Sequence, residues 1–152
     1  MAKKSFKEAG SLTIHSVREE DCGVITLSIN ETGCVSLYIS QTHDHGMDAE
    51  IEVTFEEYER VSKALEKAND IILSGISHGE RYEVDLIKVN GPSLKRQGFI
   101  LINVFEQSII LVISLTHGGD PDIRIDQEEI PLLVSLFKRI KRHEPHNLEI
   151  TE

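Results

Sequence analysis

Long apolar runs are missing from this 152-residue chain. Its longest apolar stretches, around Phe99 to Phe105 and Ile109 to Leu115, fall well short of the roughly 20 residues a bilayer-spanning helix requires. Cysteine is scarce too, with only Cys22 and Cys34. They flank a predicted hairpin turning near Asn30 to Gly33, which sets Cys34 opposite Asn30 or Ile29 and leaves Cys22 far down the ladder. A disulfide needs Cα atoms within about 7 Å, so the pair is expected to stay reduced and the chain to be soluble and cytoplasmic. Behind Lys3, Lys4 and Lys7 there is no apolar segment, and no secretory signal is predicted.

Enzyme signatures are absent as well. Gly118-Gly119 follows His117 with no phosphate-loop pattern around it, no serine sits in a G-x-S-x-G elbow, and neither cysteine has the spacing of a nucleophile or a zinc knuckle. A non-enzymatic protein is expected, with no catalytic residue, metal or cofactor assigned. The loops Thr42-His43-Asp44-His45-Gly46-Met47-Asp48 and His117-Gly118-Gly119-Asp120-Pro121-Asp122 carry imidazoles and carboxylates, but Gly, Asp and Pro are also what solvated hairpin loops require. Basic residues are few: 16 Lys and Arg against 26 Asp and Glu leave a formal charge of −10. Residues 1–72 hold 7 against 14, and residues 73–152 hold 9 against 12. A phosphate backbone is repelled at long range, so nucleic-acid binding calls for a local basic surface.

What the chain does contain is a duplication. Gly23-Val24-Ile25-Thr26-Leu27-Ser28-Ile29 reads against Gly98-Phe99-Ile100-Leu101-Ile102-Asn103-Val104, both alternating with the two-residue period of a strand. Val35 to His43 then matches Ile109 to His117, with Ile-Ser-x-Thr-His shared outright, and Ile51-x-Val53 matches Ile123-x-Ile125. Thr54-x-x-Glu57 and Asp126-x-x-Glu129 both resemble a capping box at a helix start. Apolar residues follow at helical spacing, Tyr58, Val61, Leu65 and Ala68 in one copy, Ile130, Leu133, Phe137 and Ile140 in the other. Pro131 cannot donate a backbone hydrogen bond, so the second helix is expected to begin late or bend. Leu12 to Val17 and Tyr82 to Val89 supply one more strand per copy.

These elements predict an α+β fold, a tandem β-β-β-β-α unit with antiparallel sheets, one amphipathic helix per repeat and a pseudo-two-fold arrangement. The repeats span 11–72 and 73–143 around one shared core. The ends, 1–10 and 144–152, lack periodicity and are expected to be mobile.

One face of each sheet is apolar and is expected under a helix: Ile25, Leu27, Ile29, Val35, Leu37 and Ile39 in the first, Ile100, Ile102, Val104, Ile109, Leu111 and Ile113 in the second. The other face is hydroxyl-rich in the first copy, with Thr26, Ser28, Ser36, Tyr38 and Ser40. In the second copy it is apolar again, through Phe99, Leu101, Phe105, Ile110 and Val112. Burying such side chains is worth roughly 1.5–3 kcal/mol each, so this face is expected to pack on the other half, on another subunit or on a ligand. The basic run Lys138 to His143 is read mainly as cations at a helix C-terminus.

A unit of four antiparallel strands and a helix, occurring in pairs, resembles the Whirly-like group: positive-cofactor-four transcriptional coactivators, Pur-alpha repeats and plant Whirly proteins. The nearest local matches are Ile51-Glu52-Val53-Thr54-Phe55-Glu56-Glu57-Tyr58 and Ile123-Arg124-Ile125-Asp126-Gln127-Glu128-Glu129-Ile130. The resemblance implies paired units whose strands present a surface to single-stranded nucleic acid and a role in transcription regulation. On that reading Lys88, Lys95, Arg96 and Arg124 meet phosphates, and Tyr38 or Phe99 stacks on bases. Where those coactivators have basic, aromatic hairpin turns, this chain has Asn30-Glu31-Thr32-Gly33 and Phe105-Glu106-Gln107-Ser108, with no lysine. The alternative is an acidic protein-interaction or self-assembling module, a partner or second copy contacting Phe99, Leu101, Phe105, Ile110 and Val112.

Overall fold

Residues 7–16, 18, 21–31, 33–75, 78–91 and 96–141 are described by a computed structural model. Each half is four strands and a helix: β1 (Lys7–Ile14), β2 (Gly23–Ile29), β3 (Val35–Gln41), β4 (Asp48–Val53) and α1 (Phe55–Leu73), then β5 (His78–Val89), β6 (Gly98–Glu106), β7 (Ser108–Leu115), β8 (Asp122–Ile125) and α2 (Ile130–Lys141). Two antiparallel meanders result, ordered β1-β2-β3-β4 and β5-β6-β7-β8. The predicted α+β duplication is therefore the fold. Registers correspond position by position, with Ile25 opposite Ile39 as Ile100 is opposite Ile113, and Leu37 opposite Ile51 as Leu111 is opposite Ile123. Strand β1 begins at Lys7, inside the stretch expected to be mobile, because Lys7 and Glu8 pair with Ile29 and Ser28.

Gly23 and Gly98 open the equivalent strands β2 and β6 for one reason. A Cβ on Gly23 would lie 2.5 Å from Ser40 O, and one on Gly98 2.0 Å from Ser114 O, so only glycine lets the neighbouring backbone come this close.

The helices differ from the sequence expectation in two ways. Thr54 and Glu57 form the predicted capping box, with Glu57 N–H donating to Thr54 Oγ1 at 3.1 Å and Thr54 N–H to Glu57 Oε1 at 2.9 Å. Its counterpart does not form. As expected from Pro131, which offers no N–H to a helix starting at residue 127, α2 begins late, at Ile130, and the proline falls in its first turn. Asp126 instead accepts from Ser108 Oγ at 2.8 Å, while the Glu129 carboxylate accepts from His15 N–H at 3.0 and 3.1 Å, stitching the second helix start to the first half.

Each helix also crosses to the other repeat. α1 packs on β5, β6 and β7, and α2 packs on β1 and β2, so the apolar face of either sheet lies under its partner's helix rather than its own. Gly10 on β1 shows how close this is, since a Cβ there would sit 2.7 Å from Leu136 Cδ1 of α2. Between the helices the halves meet directly, β4 on β7 and β3 on β8, and α1 touches α2 where the Tyr58 and Phe137 rings stack at 5.3 Å. Ile25, Leu27, Leu37, Ile39, Ile100, Ile102, Leu111, Ile113 and the helix stripes all join one core. Among the described residues no helix is long and apolar enough to cross a membrane.

Candidate interaction surface

Because the inner positions are spoken for, the outward positions of the two sheets are where the repeats are free to differ. Strand alternation and the shared register place Val24, Thr26, Ser36 and Tyr38 on the first sheet where the second has Phe99, Leu101, Ile110 and Val112. Ser36 and Ile110 are buried, but the other outward positions are partly or fully open to solvent. Their chemistry is therefore the most informative part of the molecule.

On the first sheet the outer face is polar and internally satisfied. Ser36 Oγ donates to Glu50 Oε2, and Tyr38 OH donates to Asp48 Oδ2 at 2.9 Å. Partial burial, then the Asp48 carboxylate, pushes the Tyr38 hydroxyl above the usual tyrosine range. Arg96, reaching over from the β5–β6 connection, sits 3.1 Å from Glu50 and 3.5 Å from Glu52, which is only 8% exposed. That guanidinium is a clamp between the halves, and its charge is matched by two carboxylates.

On the second sheet, Leu86 and Phe99 are 44% and 38% exposed, with Leu101 and Val112 half-buried beside them. The register sets Lys88 next to Phe99 and then Ser114, and Leu86 next to Leu101, Val112 and Asp122. Arg81 on one edge strand comes within 3.7 Å of Asp122 on the opposite edge. On a flat sheet those edges stand about 14 Å apart, so the sheet curls toward its outer side and the face is a shallow trough. At one end Arg124 lies 5.5 Å from the Phe105 ring centroid and binds Glu106 at 3.0 Å and Asp126 at 3.3 Å. Ser16 and Arg18, from the segment after β1, line a recess with Glu106, Arg124 and Asp126.

The sequence-derived sites thus fall into separate places. Tyr38 and Phe99 lie on different sheets, Arg96 and Arg124 are each held by two carboxylates, and Lys95 lies outside the described residues. Lys88 is exposed and forms no ion pair with a described residue. Of the apolar set, Phe99, Leu101, Phe105 and Val112 are open at least in part, but Ile110 is only 4% exposed and offers nothing to a partner. Part of the face is covered, since Ile110 and Asn103 are buried and Ser16 and Arg18 of the first half reach Arg124 at one end, while Leu86 and Phe99 stay exposed. Leu86 is the member that sequence alternation misses. A register shift between Glu83 and Asp85 reverses the phase of β5 and turns Leu86 and Lys88 outward.

The two His/Asp loops do meet, with Gly119 against Met47 and Gln41 Nε2 donating to Asp122 O at 2.9 Å. Among the described residues no three His, Cys, Asp or Glu side chains converge on a metal-sized space. Compared with known proteins, the chain matches no family model, and no curated protein matches it significantly.

Proposed function

We propose that this chain is a non-enzymatic binding protein whose recognition surface is the outer trough of β5–β8, taking a protein segment against Leu86, Phe99, Leu101 and Val112. One observation carries it: at outward positions where the first repeat has Thr26 and Tyr38, the second has Leu101 and Val112, and large side chains beside them stay in water. A cluster of that kind marks a contact site more often than scattered apolar residues do.

A second reading, single-stranded nucleic acid in the same trough, is favoured by Lys88 lying cross-strand from Phe99, a cation beside a stacking ring. Charge weighs against it, since Arg96 and Arg124 are already matched by carboxylates and the chain carries −10 overall.

Hydroxyl-radical footprinting separates the two. In the dilute purified chain Leu86, Phe99 and Leu101 should label readily, and in lysate of the source cells they should be protected. Protection that survives nuclease supports a protein partner. Protection that nuclease removes supports nucleic acid, and equal labelling in both samples rules out the trough as a binding surface.

A further inference from the structure

Strand β5, twelve residues long, is an edge strand of its sheet, with α1 beside it. Such an edge offers a row of unpaired backbone groups to any other strand. Here the middle of the row is occupied by side chains. The Arg60 guanidinium of α1 grips Asp85 through Nη2–Oδ1 at 2.7 Å and Nε–Oδ2 at 2.8 Å, and the same Nη2 reaches Leu86 O at 3.4 Å. Arg60, and to a lesser degree the neighbouring Leu86 backbone, hold the Asp85 carboxyl below the usual carboxylate range. In an antiparallel strand the N–H and C=O of one residue point the same way, so the ion pair sits against the outward backbone groups of Leu86 and holds its carbonyl.

We infer that the Arg60–Asp85 pair guards a self-complementary edge, and that β5 pairs antiparallel with β5 of a second copy once the guard is removed. The chain's own residues specify that partner. With a two-fold axis through Leu86, and the register shift at Glu83/Asp85 taken into account, Lys88 comes opposite the partner's Glu83 on the outer face, twice per dimer. Leu86, 44% exposed, meets its own copy at the centre. Neither Glu83 nor Lys88 forms an ion pair with a described residue. Leu86 belongs to both the edge and the trough, but strand pairing uses its backbone groups rather than the trough's side chains, so the inference stands whether or not the trough binds a partner.

Sedimentation velocity on the full chain, from about 5 to 500 µM, tests it over the range where weak contacts show. The unmodified chain should sediment as a monomer, and Asp85→Asn and Arg60→Gln should each form a dimer. Adding Leu86→Pro, which removes the central donor, should return the Asp85→Asn chain to monomer. Glu83→Lys in the Asp85→Asn background should weaken the dimer roughly tenfold, and adding Lys88→Glu should restore it. Circular dichroism confirms that each variant is folded. Folded Asp85→Asn and Arg60→Gln chains that stay monomeric at the highest concentration would overturn the inference. So would a dimer indifferent to Leu86→Pro.

Discussion

Tyr58 concentrates several of the forces that close the two halves. Its ring stacks on Phe137, and its hydroxyl, fully buried, donates to the Phe137 carbonyl. Burial pushes that hydroxyl well above the ordinary tyrosine range, so the fold accepts only the neutral form. A group raised in this way contributes its stability below its unfolded value, near pH 10, and loses it as pH rises further. Tyr58→Phe should therefore be less stable at pH 7 by about 1 kcal/mol, the worth of the lost hydrogen bond. Above about pH 10 the unmodified chain should lose a further ~1.4 kcal/mol per pH unit through this residue, and the gap should close. Urea titrations of both chains at pH 7, 10 and 11 check this. A gap that is constant with pH would show that Tyr58 is not the alkaline weak point.

At the scale of elements, the two helix starts contrast a local motif that works alone with one that tertiary contacts redirect. Thr54 caps α1 through bonds confined to its own turn, so Thr54→Ala should cost about 1 kcal/mol, a fall of roughly 2–4 °C in a thermal melt. No change on heating would mean the cap is replaced by water at no cost. Thr54-x-x-Glu57 was legible in the sequence because a capping box is a short-range device. Asp126-x-x-Glu129 looked the same but serves Ser108, Arg124 and His15 instead. Only the fold brings those groups within reach.

For the whole molecule, the exchange of helices decides how it holds together. Since α1 covers β5 and β6 while α2 covers β1 and β2, neither half keeps a covered sheet when separated. Cutting the chain between Gly75 and His78 should leave the two pieces associated, eluting together from gel filtration, with a melting temperature that rises with concentration. Pieces that separate as folded monomers would show that each helix can return to its own sheet.

Periodicity and internal likeness in the residues were sufficient for the strands, the helices, the duplication and the shared core. Each depends on alternation, helical spacing or a turn within a few neighbours, and Ile25, Leu27, Ile100 and Ile102 are buried as that spacing requires. The apolar trough was legible in part, through Phe99, Leu101 and Val112. Leu86 was not, because a single extra residue in β5 reverses which side chains face out. Which helix covers which sheet, which carboxylates hold Arg96 and Arg124, and what shields the β5 edge were settled only by packing. Those contacts join residues far apart in the chain, Arg96 to Glu50 and Arg60 to Asp85 among them, and no local pattern records which of many possible partners comes within a few ångströms.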